Sequence, residues 1–440
     1  MNSVVPHALG PLPRRRWTIL IPTVFVTYGL HYIDRINTAL LFPHVAQDIP
    51  MSGTAAGLAQ GVTFLGYMLL QVPAVWAAHR WGPRRIVFWC MVFWALAAMS
   101  GGLVQNMTQM ILARFLLGLA EGPLVPLVIY LLSKYFVSTE RARSAAWFLL
   151  VLPLSQVLGA PLTGFLLGHL SWRAVFVVEG APPLLWAFVW LLVAANTPQQ
   201  ARWLDASDSA AVTACITAEE AMKVGANRVS LATLARQRVV WVLAALYFTG
   251  TGGSVGLALW LPTIIADLSD QTTALQIGLL TALPSLFGAI VLVLSARWSD
   301  TRDTRRTPML TGFGVAAVAM IVGTQVPGTL WPQMTVFIVA VSAISSISAV
   351  LASIPGSVLS QVTAAAALAV GNSFGAIGQF LAPFLIGALR DATGNSRSVS
   401  YVALACLWAL GFAASVFIVD RAPRTASESS VPKSAAPECN

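Results

Sequence analysis

The chain has 440 residues, of which 57% are hydrophobic and 10% are charged, and its mean hydropathy is +0.75. A soluble domain carries roughly 25% charged residues, so this composition excludes a soluble globular protein and indicates a polytopic membrane protein. The formal net charge of +9 would indicate nucleic-acid binding only if the basic residues formed one coherent soluble face.

In chain order, apolar runs of about 20 residues, the length that crosses a bilayer, alternate with charged or turn-rich breaks. Arg14, Arg15 and Arg16 precede the first run, but no small-residue cleavage site follows them, so we predict a retained first span. The pattern predicts twelve transmembrane helices, at residues 17–41, 54–78, 86–105, 108–132, 144–168, 173–195, 239–264, 275–296, 308–326, 332–356, 364–389 and 399–419.

A single long polar interval divides the twelve helices into six and six. The predicted organisation is a cytoplasmic tail (1–16), an N-terminal six-helix bundle (17–196), a central cytoplasmic loop (197–238), a C-terminal six-helix bundle (239–421) and a disordered cytoplasmic tail (422–440). Similar basic turns follow the second and eighth helices, which supports two pseudo-symmetric halves. The predicted fold class is therefore an all-α membrane protein of two six-helix bundles.

The distribution of Lys and Arg predicts the orientation of these helices. If the termini and alternate connections share one side, that side carries 21 of the 26 basic residues. This is the positive-inside pattern, so both termini are predicted to be cytoplasmic in a multi-pass inner (plasma) membrane protein. The basic excess then reflects membrane topology, and no nucleic-acid partner is expected.

Four ionisable residues lie deep in predicted spans: Asp34 and Arg35 in the first, and Arg114 and Glu121 in the fourth. Each buried charge costs about 2.5–3.5 kcal/mol on insertion scales, so four isolated charges would cost on the order of 10 kcal/mol. We therefore predict one cluster in a wet cavity, with Asp34 paired to Arg114. The alternative of a purely structural ion-pair cluster stays open.

Two further polar residues in the spans receive structural interpretations. His31 shares a helix face with Asp34 and Arg35, and a satisfied structural histidine is the simpler interpretation than a proton relay. Glu179, near the start of the sixth span, is interpreted as a helix-end charge. Small-residue spacings such as Gly118/Gly122 predict close helix packing within the bundle.

The first half of the chain resembles the anion:cation symporter family of the major facilitator superfamily, a group that includes sugar-acid, tartrate and hydroxyphenylacetate permeases. The matching segments are Tyr32-Ile33-Asp34-Arg35-Ile36-Asn37, Gly66-Tyr67 with Gln71-Val72-Pro73, Arg114 to Glu121 with Pro126, Glu140-Arg141-Ala142-Arg143, Ser171-Trp172-Arg173 and Ala201-Arg202-Trp203-Leu204. The resemblance implies two halves that rock about a central site.

The same resemblance implies residue roles. Asp34 and Glu121 would be protonation sites, Arg114 would couple them, and Arg35 would bind the substrate carboxylate, which suits a planar guanidinium. Tyr32, Tyr67, Gln156 and Asn372 would contact the substrate, although interhelical hydrogen bonding is an equal alternative for each. Arg80, Arg84, Asp300 and Arg306, in the basic turns, would take part in conformational gating.

Two positions depart from the family pattern. His79 stands where the loop after the second helix usually has an aspartate, which would shift gating towards Asp300. Leu351-Ala352 stands where related permeases have a Phe-Trp pair, so an aromatic wall of the substrate site is missing.

The sequence thus predicts a monomeric, proton-coupled importer of a small organic carboxylate, such as a sugar acid, a hydroxy-dicarboxylate or an aromatic acid. An anion exchanger, an efflux transporter of the same fold and a non-transporting permease-like receptor remain alternatives. The four cysteines form no CxxC pair, and no nucleophile elbow or phosphate loop occurs. We therefore expect neither an enzyme nor a cofactor.

Overall fold

The computed structural model describes residues 12–222, 236–269, 271–302, 304–358 and 361–418. The predicted disordered tail (422–440) and most of the predicted N-terminal tail lie outside these ranges. The α-helices within them are α1 (Ile21–Asp48), α2 (Gly53–Trp81), α3 (Pro83–Ser100), α4 (Met107–Glu121), α5 (Leu124–Ser133), α6 (Ser138–Leu149), α7 (Val151–Leu167), α8 (Trp172–Val193), α9 (Ala206–Met222), α10 (Arg238–Leu268), α11 (Ala274–Arg302), α12 (Arg306–Gln325), α13 (Leu330–Val358), α14 (Gln361–Ala392) and α15 (Arg397–Ser415). A π-helical turn, Arg16–Leu20, leads into α1.

Each of the twelve predicted runs falls on a helix, which confirms the all-α fold class. Within the described ranges, ten helical segments are long and apolar enough to cross a membrane by length and composition. The other two runs correspond to α1, 28 residues long, and to the α6–α7 segment. Asp34 and Arg35 lower the hydropathy of α1, so the helix that carries the candidate site is among the less apolar ones.

Two local features differ from the predicted pattern. The fourth run is interrupted after Glu121, because Gly122 and Pro123 form a turn and proline has no N–H to donate to the helix. The central interval contains a helix, α9, whose residues Val212 and Cys215 pack in a small core with Val137. A few apolar residues at helical spacing in a short polar segment indicate a helix only weakly, so the sequence alone predicted a loop there.

The helices begin and end at two opposite ends of the bundle. We name each end after a residue that lies there: the Asp391 end and the Trp81 end. The Asp391 end holds the α1–α2 connection next to α8 and the end of α14, as the ion pair of Arg173 with Asp48 at 2.6 Å illustrates. The Trp81 end holds the α2–α3 connection and the segment after α8, where Arg84 N donates to Asn196 Oδ1 at 3.0 Å.

Helices from the first six spans pack tightly against helices of the last six at the Asp391 end. The backbone of α2 at Gly57 lies so close to Pro383 O of α14 that a Cβ would collide with it. Gly164 of α7 and Gly278 of α11 make the same kind of approach to Ala274 and Ala160. Small residues permit such contacts between membrane helices, and here they close the Asp391 end.

A carboxylate from α14 also caps the N-terminus of α2. Asp391 accepts hydrogen bonds from Gly53 N at 2.7 Å, Thr54 N at 2.7 Å and Thr54 Oγ1 at 2.5 Å. The first N–H groups of a helix lack partners inside the helix and carry partial positive charge, so a carboxylate satisfies both needs. This contact joins the two sequence halves.

Candidate functional site

The predicted cluster is assembled by the close approach of α2 and α4 beside α1. Cβ atoms at Gly118 and Gly122 would collide with the carbonyl oxygens of Thr63 and Tyr67, so only glycine permits this spacing. The prediction that this glycine pair packs within the bundle is confirmed. Because α2 lies this close to α4, its aromatic residues stand beside the buried carboxyl of Glu121.

Asp34 is 1% exposed, and it accepts a hydrogen bond from the indole Nε1 of Trp94 at 2.5 Å. The direct pairing of Asp34 with Arg114 is wrong: among the described residues, no Arg114 nitrogen lies within 4.0 Å of an Asp34 oxygen. The two charges still interact electrostatically over a longer distance. The second oxygen, Oδ1, is buried without a hydrogen-bond partner.

Glu121 faces His31, and both side chains are fully buried. His31 Nδ1 lies 3.6 Å from Glu121 Oε2. Within the described part of the chain, neither carboxyl oxygen and neither ring nitrogen has a hydrogen-bond partner. The imidazole stacks on Tyr28, with ring centroids 5.4 Å apart. The sequence favoured a structurally satisfied His31, whereas the structure places it opposite a carboxyl that was predicted to exchange protons.

Arg35 lies in an aromatic cage. Its guanidinium carbon is 4.8 Å from the ring centre of Phe64, 5.0 Å from that of Tyr67 and 5.8 Å from that of Tyr32. No described carboxylate oxygen lies within 4.0 Å of its nitrogens. Cation–π contacts hold a guanidinium through its faces and leave the N–H donors at its edge available for an anion.

Three of the predicted contact residues form the wall beside Arg35. The Tyr32 hydroxyl accepts a hydrogen bond from Gln156 Nε2 at 3.0 Å, which links α1 to α7. Tyr67 forms one face of the cage. Asn372 stands apart, because its side chain is exposed on α14 and the described structure gives it no contact with these groups.

Arg114 and Glu179 form the remaining side of the cluster. Arg114 is 4% exposed, and its guanidinium carbon lies 4.8 Å from the ring centre of Phe176. Glu179 is 7% exposed and accepts hydrogen bonds of 2.7 Å from both Asn37 Nδ2 and Thr163 Oγ1. The interpretation of Glu179 as a helix-end charge is therefore wrong, since it lies buried about two turns inside α8.

The charges of the cluster interact with one another. Arg114 interacts electrostatically with Asp34, Glu121 and Glu179, and Glu121 also interacts with Arg35. Three carboxyls thus lie among two guanidiniums, so a neutral cluster requires one proton, held by a carboxyl or by His31. Burying an uncompensated charge is costly, so the number of protons bound at the cluster depends on the other charges present in it.

The predicted gating residues occupy the Trp81 end. The Arg80 guanidinium lies 5.9 Å from the ring of Trp81 and is exposed. Arg84 donates to the carbonyl oxygen of Leu191 in the same half of the chain. Arg306 is exposed at the start of α12. The side chain of Asp300 lies outside the described residues, so its predicted role stays a prediction.

Sequence reasoning did not assign a site role to Trp94, Phe64, Phe176 or Thr163. These are common residues of apolar helices, and nothing in their spacing distinguishes a cage wall or a carboxyl partner from ordinary core. Asn37, the fifth missed residue, belongs to the motif around Asp34 and Arg35, so its position was the available signal for the contact with Glu179.

A multi-span helical bundle with a buried charged cluster between helices of its first half is the architecture of a membrane transporter. The chain belongs to the Major Facilitator Superfamily, whose family model matches residues 24–383. The protein is therefore a multi-pass membrane transporter and not an enzyme.

Relatives and a solved structure agree with this membership. The chain is 30% identical to "Putative metabolite transport protein NicT" of Pseudomonas putida, covering 92% of this chain and 94% of that one. It is 32% identical to a "Putative tartrate transporter" of Agrobacterium vitis, covering 86% and 87%. It is also 30% identical to a "Quinolone resistance transporter" of Acinetobacter baumannii, covering 87% and 89%.

The fold is also that of a solved transporter. The structure of a bacterial homolog to the human lysosomal transporter Spinster, in an inward-facing and unoccupied conformation, matches with a TM-score of 0.77 at 18% identity. The match covers 94% of this chain and 100% of that chain.

Proposed function

We propose that the protein is a proton-coupled secondary transporter that imports a small organic carboxylate by alternating access. The observation that carries the proposal is the Arg35 cage, which holds a permanent cation with available donors next to the buried carboxyl of Glu121. A planar guanidinium binds a carboxylate through two parallel hydrogen bonds. The relative named as a tartrate transporter supports the same substrate class.

Each residue of the cluster receives a role in the proposal. Arg35 binds the substrate carboxylate, Asp34 and Glu121 take up and release protons, and Arg114 couples them through its charge. Substrate hydroxyls or rings contact the side chains of Tyr32, Tyr67 and Gln156 on the wall beside Arg35. Asn372 belongs to the second half, and it reaches the substrate when the two halves close around it.

The proposed orientation follows from the positive-inside rule, which places the Trp81 end and both termini in the cytoplasm. The conformation described here, closed at the Asp391 end, is then inward-facing. In the outward-facing state the Trp81 end closes through Arg80, Arg84, Asp300 and Arg306. The two six-helix bundles predicted from the sequence, residues 17–196 and 239–421, are the moving bodies of a monomer in the inner membrane.

Proton coupling explains how an anion enters against a negative membrane potential. Each net charge that moves across the membrane is worth about 2.3 kcal/mol per 100 mV. If protons outnumber the negative charges on the substrate, the potential drives import. The protonation sites must therefore be loaded on the outer side and emptied on the inner side.

The second candidate is an efflux transporter or exchanger of the same fold. The relative named as a quinolone resistance transporter, at 30% identity, favours it specifically. The two candidates differ in the direction of coupled flux. With an acidic outer medium, proton symport carries the labelled carboxylate into proteoliposomes together with protons, whereas proton-driven export expels preloaded substrate as protons enter. Both make a weakly buffered outer medium more alkaline, so the direction of substrate movement separates the two.

The test replaces Glu121 with glutamine in proteoliposomes. Glu121→Gln keeps the size of the side chain but removes proton exchange, so uptake driven by a pH gradient is expected to fall to background. Exchange of external labelled carboxylate for unlabelled carboxylate inside preloaded vesicles should persist, because exchange needs no net proton movement. Asp48→Asn, a change at an exposed carboxylate of the Asp391 end, is the control and should leave both fluxes unchanged.

The role of Glu121 is overturned if uptake by the glutamine variant still responds to the pH gradient. Loss of both uptake and exchange in a protein that remains monodisperse would assign Glu121 to substrate binding instead.

A further inference from the structure

A cavity of about 330 Å³ lies at the Asp391 end and shares no lining residue with the cluster around Arg35. We call it the vestibule cavity. Its walls come from the end of α1, the start of α2, the end of α10 and the α14–α15 connection. The volume is at the lower end of the range for small-molecule sites.

Two buried side chains of the vestibule cavity have polar atoms without partners. Arg390 is 5% exposed; its Nη2 donates to Asp267 Oδ2 at 2.8 Å, and its Nη1 has no hydrogen-bond partner in the described structure. Gln60 is 3% exposed, and its Oε1 likewise has none. Buried donors and acceptors are almost always satisfied, so these two atoms keep bonding capacity that no described residue uses.

A second arginine reaches the same cavity through a sharp turn. Gly394 and Asn395 adopt left-handed backbone angles, with φ of 66° and 64°, and Asn395 N donates to Arg390 O at 2.7 Å to end α14. This turn brings Asn395 and Arg397 to the cavity wall. No described carboxylate oxygen lies within 4.0 Å of the Arg397 guanidinium.

The balance of charge at the vestibule cavity favours an anion. Its charged lining residues in the described structure are Arg390 and Arg397 against Asp267, a net charge of +1. The nearby carboxylate of Asp391 keeps its charge, which lies against the partial positive charge of the α2 N-terminus at Gly53 and Thr54. Trp260, whose ring centre lies 5.2 Å from the Arg390 guanidinium carbon, supplies an apolar wall.

We propose that the vestibule cavity is a second binding site for small carboxylates, which an anion occupies before it reaches the central site. Arg390 Nη1 and Arg397 donate to the carboxylate, and the amides of Gln60 and Asn395 bind substrate hydroxyls. This inference rests on the proposed function for its substrate class and on the proposed orientation for its place outside the membrane. Ser52 and Gly53, at the start of α2, also line the cavity, so the bound anion contacts the helix end that Asp391 holds.

The test measures equilibrium binding to the full-length protein in nanodiscs, with labelled tartrate, gluconate and benzoate as probes. The Arg35→Gln variant removes the central guanidinium, and one equivalent of at least one probe is expected to remain bound. Adding Arg397→Gln should weaken this remaining binding at least tenfold. Adding Asp267→Asn should tighten it several-fold, because the Arg390 guanidinium loses a competing carboxylate.

Arg173→Gln is the matched control, since Arg173 lies at the same end but is paired with Asp48 and does not line the cavity. It should leave the binding unchanged. A gain of affinity in Asp267→Asn cannot result from misfolding, which protects the test against unstable variants. Absence of residual binding for all three probes, or residual binding that ignores both Arg397→Gln and Asp267→Asn, overturns the proposal.

The outcome is separable from that of the proposed function. If wild-type protein binds a probe at the vestibule cavity but transports no carboxylate in proteoliposomes, the proposed function fails while the second site stands.

Discussion

At the scale of single residues, the cage around Arg35 shows how a cation can be held in an apolar bundle without being neutralised. Phe64, Tyr67 and Tyr32 contact the guanidinium through their ring faces. An ion pair would have used the same N–H groups that a carboxylate substrate needs. Cation–π contacts are worth about 0.5–2 kcal/mol each, which holds the side chain in place and keeps its donors available.

Arg35→Lys should therefore weaken substrate binding although the charge is kept. An ammonium neither stacks on the rings nor offers two parallel donors to a carboxylate, so the KM for uptake is expected to rise at least tenfold, equivalent to about 1.4 kcal/mol. Initial uptake rates over a range of concentrations measure this. Tyr32→Phe is the comparison: it removes the hydroxyl that Gln156 bonds and keeps the ring, so a smaller rise is expected. Equal KM values for wild type and Arg35→Lys would remove Arg35 from the binding site.

At the scale of elements, the segment before α1 is anchored by a buried ion pair. Arg16 is 0% exposed, and its two terminal nitrogens lie 2.7 Å and 3.0 Å from the carboxylate oxygens of Glu140 at the start of α6. Arg16 Nη1 also donates to Tyr135 O at 2.7 Å. Part of the family-like Glu140-Arg141 motif thus has a structural purpose, since Arg141 in turn pairs with Glu219 of α9 at 3.1 Å.

Glu140→Ala should destabilise the protein strongly, because it leaves the charge of the buried Arg16 guanidinium without its carboxylate. Breaking one side of a buried ion pair costs up to about 3–5 kcal/mol. Asp205→Ala is the control, because it breaks an exposed ion pair with Arg15. The Arg15 side chain is 55% exposed and that of Asp205 is 70% exposed, so the change should cost about 0–1 kcal/mol. Equilibrium unfolding in mixed micelles measures both values. Similar free energies of unfolding for the two variants would contradict the anchoring role of Glu140.

At the scale of the whole molecule, the contact of Asp391 with α2 holds the two sequence halves together at one end. Its three hydrogen bonds, at 2.5–2.7 Å, are made to backbone and hydroxyl groups that water could satisfy when the end opens. The closed end is thus stabilised by hydrogen bonds that can be replaced by bonds to water at a small cost in free energy. The proposed alternating access needs such a contact, because a permanent clamp would stop the cycle.

Asp391→Asn should shift the population towards the state open at the Asp391 end. The amide carries no charge to complement the N-terminus of α2 and has one fewer acceptor oxygen, a loss of about 0.3–1 kcal/mol from the helix-dipole contribution alone. Spin-label distances between α2 and α14 at this end are expected to show a larger open fraction. Asp48→Asn, which alters an ion pair within the first half, should leave the distribution unchanged. An unaltered distribution in Asp391→Asn would remove this contact from the gate.

The sequence by itself determined the positions of the apolar helices and the four ionisable residues to examine. Hydropathy and charge along the chain are local properties, and the bilayer acts on each segment separately, so these features can be read without knowing any contact. The glycine spacing in α4 likewise predicted a close helix approach, which the contact of Gly118 with Thr63 confirms.

The tertiary structure alone decided which groups meet. Trp94 takes the place that Arg114 was expected to fill beside Asp34, Glu179 joins the cluster, and His31 faces Glu121. Each result depends on the rotation and depth of one helix relative to another, which a one-dimensional pattern does not contain. The vestibule cavity is the clearest case: Gln60 and Arg390 are far apart in the sequence, and only the packing of α2 against α14 brings the two residues to one cavity.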